Sequence, residues 1–160
     1  MKKIPKILLS LILSLSLSNV QTVFASAPTT QIEYFEDGSY CITVIEDCNI
    51  INNPSITTAS ASKTVSKSKT AHYYSSSNVE QWYVKVSGSF TYGNGSAVCN
   101  SASVIANPKN KDWKVSNKTS RKSGNSATAS ATGKRYKNNV LLETVTKSVT
   151  LTCSPTGKFS

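Results

Sequence analysis

The chain has 160 residues, of which 38% are hydrophobic and 16% charged, and its 18 lysines and arginines outnumber 8 acidic residues to give a net charge of +10. A chain of this length forms one ordinary domain, and its low hydrophobic fraction predicts a thin core. One histidine and four cysteines disfavour His-based hydrolysis and most metal-dependent chemistry, so we expect a nonenzymatic protein with no metal and no cofactor.

Residues 1–25 predict a secretory signal peptide. Lysines precede an apolar run at residues 7–17, and Ala25 supplies the small residue at the cleavage site. The run is too short for a spanning helix, which needs about 20 apolar residues. We therefore expect a secreted, extracellular protein with no transmembrane segment after cleavage.

Residues 26–50 form an acidic segment with five carboxylates and no base. Two β-prone runs, 32–35 and 40–45, flank a turn at Gly38, which predicts a short β-hairpin. Two alternatives stay open, because the hairpin can dock on the basic remainder of the chain or lie free as a solvated ribbon. Residues 51–62 lack hydrophobic periodicity and are predicted as a linker.

Residues 63–160 are predicted as one β-sandwich domain of about six strands. Apolar residues alternate with polar ones from Trp82 to Tyr92, which indicates a strand with one buried face. Gly88 within it predicts a bulge or a close backbone approach. This all-β pattern favours an immunoglobulin-like sandwich or a related small antiparallel barrel. The other strands are predicted at 63–74, 97–106, from residue 113 onward, 126–136 and 140–153.

The four cysteines allow three disulfide pairings, which the sequence does not decide. Cys99 and Cys153 both lie in predicted strands of the main domain, so this pair is favoured. Its bridge would contribute about 4 kcal/mol in the loop-entropy model. A second bridge between Cys41 and Cys48 needs a turn near residues 46–47, because an extended chain holds them too far apart. A zinc site is the rival interpretation, but it lacks the usual C-x₂-C spacing.

Three segments carry a resemblance to a protein family. They are YFEDGSY at 34–40, KTVSKSKT at 63–70 followed by two tyrosines, and KSVTLTCS at 147–154. With Trp82, Cys99, Trp113 and the turn at 123–125, they resemble a family of small secreted proteins of Gram-positive Firmicutes, chiefly Clostridia, described only as a domain of unknown function. The resemblance implies secretion, a β-rich fold and a Cys99–Cys153 bridge. It implies no catalytic or binding residues, and Cys41 and Cys48 are not part of the pattern.

Candidate catalytic residues are few. A Ser-His-acid site would need His72, the only histidine, and its neighbours predict a surface or edge position. Glu80, Asp112 and Glu143 are the only acids of the main domain. Nothing in the sequence places two of them at the separation that a glycosidase needs. We therefore expect no catalytic residues.

The strongest binding signal is a basic region with nine bases and one acid, Asp112. A field of this sign concentrates polyanions such as anionic cell-wall polymers, lipid headgroups, nucleic acid or acidic glycans. Because lysine dominates, we expect salt-dependent binding and no specific nucleic acid. The alternative is that the bases only solvate exposed strand edges. The region comprises Lys109, Lys111, Lys114, Lys118, Arg121, Lys122, Lys134, Arg135 and Lys137.

Two functions follow as hypotheses. The first is an extracellular or cell-envelope-associated binding module with electrostatic affinity for polyanions, to which tyrosines would add contacts with glycans. The second is a secreted antagonist, bacteriocin-like or membrane-active, whose Ser/Thr/Ala strands rearrange in a membrane. The first predicts salt-dependent binding to the envelope, and the second predicts leakage of anionic vesicles.

Overall fold

Alternation of apolar and polar side chains produces strands along nearly the whole described chain. The computed structural model describes residues 30–47 and 62–160. Sheet A contains, side by side and in chain order, β1 (Thr30–Tyr34), β2 (Tyr40–Asp47), β3 (Lys63–Tyr74), β4 (Glu80–Gly93) and β5 (Ser96–Pro108). Sheet B contains β6 (Trp113–Ser123), β7 (Ser126–Lys137) and β8 (Val140–Thr152). The predicted signal peptide, Cys48 and the predicted linker, apart from Ser62, lie outside the described residues.

The prediction of an all-β sandwich is confirmed. Both sheets are antiparallel, and they do not close into a barrel. Every pair of neighbouring strands is consecutive in the chain. This meander order differs from the Greek-key order of the immunoglobulin fold. Short turns favour it, because antiparallel neighbours need only a tight hairpin between them.

The core lies between β4 and sheet B. Trp82, Val84 and Val86 on β4 are fully buried, as the alternation predicts. Opposite them, β7 contributes small alanines and β8 contributes Leu151. Small residues on β7 let the two sheets approach closely, which is how a chain with few large apolar residues closes a core.

Gly88 is a position of close approach. A Cβ at Gly88 would lie 2.6 Å from the Phe90 ring and 3.1 Å from the Ala127 Cβ. The register shift of β4 against β5 falls at Ser89 and Phe90, just after the glycine. Of the two predicted alternatives, the close backbone approach is therefore the one that applies at Gly88 itself.

The acidic hairpin is part of the sandwich. β2 pairs with β3 from Tyr40 opposite Tyr74 to Asp47 opposite Lys67, so the hairpin extends sheet A. Ion pairs from Glu46 to Lys85 and from Glu33 to Lys147 add only weakly, since exposed pairs contribute about 0–1 kcal/mol. The backbone ladder, rather than charge, attaches the segment.

The structure corrects the disulfide prediction. Cys99 and Cys153 are free and buried, and each thiol donates to a nearby backbone carbonyl. The β6–β7 turn lies between them, because the Cys99 amide bonds Gly124 O at 2.8 Å and the Cys153 amide bonds Asn125 O at 3.0 Å. Cys41 is also free, and its predicted partner Cys48 is outside the described residues.

Candidate functional site

The outer surface of sheet B is covered with hydroxyl groups, and we call it the hydroxyl face. In β7, buried alanines alternate with Ser and Thr, so the hydroxyls all point away from the core. The hydroxyls pair across to β8, with Oγ1 atoms 2.9 Å apart in Thr128–Thr150 and 3.0 Å apart in Thr132–Thr146. These pairs form a regular row of hydroxyl groups between β7 and β8.

Basic side chains lie among the hydroxyl groups of the hydroxyl face. Lys114 and Lys134 lie directly opposite each other on β6 and β7, and Arg121 lies opposite Thr128. The Lys114 ammonium also sits 5.1 Å from the centre of the Tyr136 ring. The only acid in the three strands is Glu143, which points inward. Among the described residues of sheet B, the outward surface therefore carries positive charge alone.

The basic region does not form one compact patch. Lys109 lies over the Tyr83 ring of sheet A, 5.4 Å from its centre. Along the corner where β5 meets β6, Lys118 bonds the Asn107 side chain and Lys122 bonds the Asn100 carbonyl. Lys111 and Lys137 are exposed, in or beside turns at one end of the sandwich. The same end carries Lys109, Lys114 and Lys134.

Arg135 lies on the same face of β7 as the core alanines, although its side chain, at the end of the strand, is 46% exposed. Its Nε lies 3.0 Å from the Glu143 carboxylate, so its charge is matched within the sandwich. The structure therefore leaves Lys114, Lys134 and Arg121 as the bases that face outward from the hydroxyl face. The alternation in β7 could have placed Lys134 and Arg135 on opposite faces, since their parity differs.

His72 lies on the outer surface of β3, the middle strand of sheet A, and not at an edge. Its Nδ1 lies 2.7 Å from Glu80 Oε1, and its ring stacks on Tyr83. Glu80 and Tyr83 therefore hold the imidazole ring in place, and no hydroxyl group of the described residues forms a hydrogen bond with it. The structure thus places His72 in a hydrogen bond with Glu80 on the outer surface of sheet A.

A polar network joins the two sheets near the β1–β2 turn. The Ser39 hydroxyl donates to Asp37 Oδ1 at 2.6 Å, and the buried Tyr73 hydroxyl lies 3.0 Å from Ser39 Oγ and 2.8 Å from Glu143 Oε1. Burial raises the pKa of Tyr73 to about 12. Hydrogen bonds from Ser39 hold the pKa of Asp37 below its usual value. The sequence does not reveal this network, because its members lie far apart in the chain.

A cavity of about 520 Å³ opens beside this network. One wall is Phe35 with the β1–β2 turn, and the other is residues 144–147 of β8. A smaller cavity of about 120 Å³ shares Tyr73 with the first and reaches Gln81 and Trp113. The indole of Trp113 donates to the Gln81 side chain at 2.9 Å, which fixes that wall.

The buried thiols are not nucleophiles at neutral pH. Burial raises the pKa of Cys41, Cys99 and Cys153, so each stays in the unreactive thiol form. Within residues 30–47 and 62–160, no three His, Cys, Asp or Glu side chains converge on a point where a metal would bind. The same residues include no helix with the length and apolar character to cross a membrane.

Comparisons with family models, curated proteins and solved structures return no match to this chain. The resemblance to secreted Firmicutes proteins therefore stays a prediction. Three features of the structure bear on function: the hydroxyl face, the exposed apolar residues 140–142 at the β7–β8 turn, and the cavity beside β8.

Proposed function

We propose that the protein is a secreted, nonenzymatic module that binds anionic polymers of the cell envelope on its hydroxyl face. The observation that carries this proposal is the pairing of outward bases with hydroxyl ladders on a surface where the described strands present no acid. Such a surface attracts polyanions over several ångströms and offers hydrogen-bond donors on contact.

The geometry favours a repeating polymer over a compact ligand. Donors recur between strands at a spacing of roughly 4.8 Å, so many equivalent contacts lie along the face. A shallow cavity of about 290 Å³ on it is lined by Arg121 and by the hydroxyls of Thr119, Thr128, Ser130 and Ser148. Arginine with several hydroxyls suits one anionic group of a chain, such as a phosphodiester of teichoic acid. The remaining groups would be held by Lys114 and Lys134.

We expect the double variant Lys114→Gln, Lys134→Gln to weaken binding to intact Gram-positive cells about tenfold at low salt. Each lost phosphate contact also lowers the log–log dependence of affinity on salt by about one unit, so the slope should fall by about two. The measurement is a pull-down of the purified protein across a salt series, on intact cells and on cells stripped of teichoic acid. Stripped cells should retain little protein.

The matched control is Lys63→Gln, Lys158→Gln, which removes the same charge from exposed positions outside sheet B. It should keep the affinity within about twofold of the unmodified protein. Equal loss in both double variants would show that only net charge matters and would contradict a binding role of the hydroxyl face. If the protein does not bind cells even at low salt, the lysines serve only to solvate the protein surface.

A second candidate, membrane activity, is favoured by the tip of the β7–β8 hairpin. Val140, Leu141 and Leu142 are consecutive and 59%, 49% and 50% exposed, beside Lys137. Consecutive exposed apolar residues at a turn with a basic rim are suited to insertion at an anionic membrane surface. If the protein acts this way, it should release dye from anionic vesicles but not from neutral ones.

The variant Leu141→Ser, Leu142→Ser should then lower the rate of dye release at least fivefold, since two exposed leucines supply most of the apolar insertion. The control is Val98→Ser, Ile105→Ser, which removes equally exposed apolar residues from β5. Leakage that depends equally on both pairs, or no leakage from anionic vesicles, would argue against membrane activity at this tip.

A further inference from the structure

We propose that the free edge of β8 binds an extended polypeptide segment that carries a lysine or arginine, as an added antiparallel strand. This site is separate from the hydroxyl face and takes a ligand of opposite charge. Four features carry the inference: the unequal width of the two sheets, the open edge beside the cavity, a strand already added to one end of that edge, and the local excess of carboxylates.

The two sheets differ in width by two strands, since sheet A has five and sheet B has three. β8 packs against β3 and β4, whereas β1 and β2 extend past it. The inner face of the β1–β2 hairpin therefore has no facing strand among the described residues. At roughly 4.8 Å per strand, the overhang leaves room beside β8 for one added strand and its side chains.

Within residues 30–47 and 62–160, no strand pairs with the edge of β8 that faces this space. Its other edge is hydrogen-bonded to β7 from Val140 to Thr152. Residues 144–147 line the cavity consecutively, so backbone as well as side chains of both parities form its wall. Over this stretch, the described residues provide no backbone partner on the free side. An unpaired row of amide and carbonyl groups is a template for strand addition.

The same edge already carries an added strand at its far end. Phe159 pairs antiparallel with Cys153, and Ser160 exchanges two backbone hydrogen bonds with Thr152, at 2.9 and 3.1 Å. Phe159 also packs edge-on against Phe90, with ring centres 5.2 Å apart. The edge is therefore shaped to accept a strand in this direction. A strand continued in the direction from Phe159 to Ser160 would run along the edge of β8 toward the cavity.

The charges at the cavity select a basic segment. Four carboxylates lie at or beside it, against two bases, which gives a local charge of −2 in a protein of net charge +10. Arg135 and Lys147 are matched by Glu143 and Glu33. Asp37 interacts electrostatically with Arg135, whereas Glu36 forms no ion pair among the described residues and remains to receive a cation. The carboxylates are Glu33, Glu36, Asp37 and Glu143.

A second copy of the chain does not fit this edge symmetrically. Pairing β8 with β8 of another copy about a two-fold axis would bring both β1–β2 overhangs to the same side of the joined sheets. Both hairpins would then occupy the space over the same seam. The overhang thus excludes a symmetric dimer at β8 and leaves room for a single segment.

The probe that tests the proposal is a fluorescein-labelled octapeptide of alternating threonine and valine that ends in lysine. In the antiparallel direction, its last residue reaches the carboxylates at the start of β8. We expect a saturable rise in fluorescence anisotropy with the full protein, together with slower hydrogen exchange at the amides of residues 144–150. Replacing the lysine by norleucine should weaken binding about fivefold or more.

The matched variants separate charge at the site from charge elsewhere. Glu36→Gln and Glu143→Gln should each weaken binding of the lysine peptide about threefold or more and leave the norleucine peptide unaffected. Glu80→Gln is the control, because its side chain is 25% exposed, like the 24% of Glu143, but lies on the outer surface of sheet A. It should change neither affinity by more than about twofold. Equal effects of all three variants would overturn the assignment.

Backbone pairing is tested by methylation of alternate peptide amides. Methylating the amides that face β8 should abolish binding, whereas methylating the other set should preserve it. Binding that is indifferent to the methylation pattern would overturn strand addition. Neither result depends on polyanion binding, so failure of this proposal is distinguishable from failure of the proposed function.

Fusing the peptide to the protein tests strand addition even where the free peptide binds weakly. Since ten positions separate Cys153 from Glu143, a nine-residue extension after Ser160 that ends in lysine would reach Glu143 in register. We expect the extension to slow hydrogen exchange along β8 by at least tenfold. An extension with proline at every second position should have no such effect, because it cannot complete a ladder. Unchanged exchange in the first fusion would refute the proposal.

Discussion

Replacing Gly133 with alanine is expected to destabilise the protein by about 3 kcal/mol, because the glycine lies directly beneath the Trp82 ring. A Cβ there would be 2.5 Å from Trp82 Cε2 and 2.7 Å from Nε1. Real Cβ atoms do not approach ring atoms so closely, and Trp82 is fully buried with no room to move. Overpacked cores lose about 1–3 kcal/mol, occasionally more. Urea denaturation of both proteins measures the difference.

A second substitution tests whether the loss of stability in Gly133→Ala comes from the clash with Trp82. Trp82→Phe in the Gly133→Ala background should recover about 1 kcal/mol or more, because the smaller ring vacates the space that the Cβ enters. The change removes no described hydrogen bond, since Trp82 Nε1 is buried without a partner. Additive losses in the double variant would contradict a clash between these two positions.

A conformational control distinguishes crowding from backbone strain. Gly124 has a φ of +54°, and a Cβ there would meet no atom within 4 Å. Gly124→Ala should therefore cost about 1 kcal/mol, through backbone strain alone. A larger loss at Gly124 than at Gly133 would show that crowding against Trp82 is not the dominant effect.

Replacing Tyr73 with alanine is expected to destabilise the protein by about 3–5 kcal/mol, as for other large aromatic residues in cores. The ring is buried against Phe35, Trp82 and Trp113, with ring centres 5.5–6.2 Å from its own. Tyr73→Phe keeps these contacts and removes only the hydroxyl, so it should cost about 1–2 kcal/mol. Chemical denaturation at pH 7 should give this order, with Tyr34→Phe, on the exposed edge strand, as the control.

The Tyr73 hydroxyl also makes stability depend on alkaline pH. Its pKa in the folded protein is about 12, because burial disfavours the phenolate and the Glu143 carboxylate opposes it further. Tyrosine in an unfolded chain titrates near 10. A pKa raised by folding gives stability that is complete below pH 10 and is lost as the pH rises toward 12.

Tyr73→Phe should therefore reduce the fall in the free energy of unfolding between pH 10 and 12. The expected reduction is about 2–3 kcal/mol, from two pKa units at about 1.4 kcal/mol each. Denaturation curves at half-unit pH intervals provide the measurement. An equally steep fall in the variant would show that groups other than Tyr73 cause the alkaline loss.

The prediction of strands succeeded where the signal is local. In β4 and β7, apolar or small residues alternate with polar ones over at least nine positions, and the observed strands follow that alternation. A period of two is a property of neighbouring residues, so it is visible without knowing what the strand packs against. The same alternation places Lys134 and Arg135 of β7 on opposite faces, whereas in β6 a register shift between Ser116 and Thr119 brings Lys114 and Arg121 to the same face despite their opposite parity.

The candidate sites were only partly predictable. The sequence identified the basic region, but the position of Arg135 against Glu143 and of Lys109 over Tyr83 depends on how strands pair. For His72 the sequence left a surface or an edge position open, and strand pairing decided for the surface of the middle strand of sheet A. The cavity beside β8 has no local signal at all, because its walls come from the β1–β2 turn, β3 and β8.

The sequence by itself determined the β class, most strand positions, the choice at Gly88 between a bulge and a close approach, and the basic region, since each follows from residues a few positions apart. Tertiary structure alone decided the rest. It joined the acidic hairpin to sheet A, placed the β6–β7 turn between Cys99 and Cys153, and brought Tyr73 to Glu143 across 70 residues. Those outcomes depend on which strands pair and how far one sheet extends past the other, and no local pattern encodes either quantity.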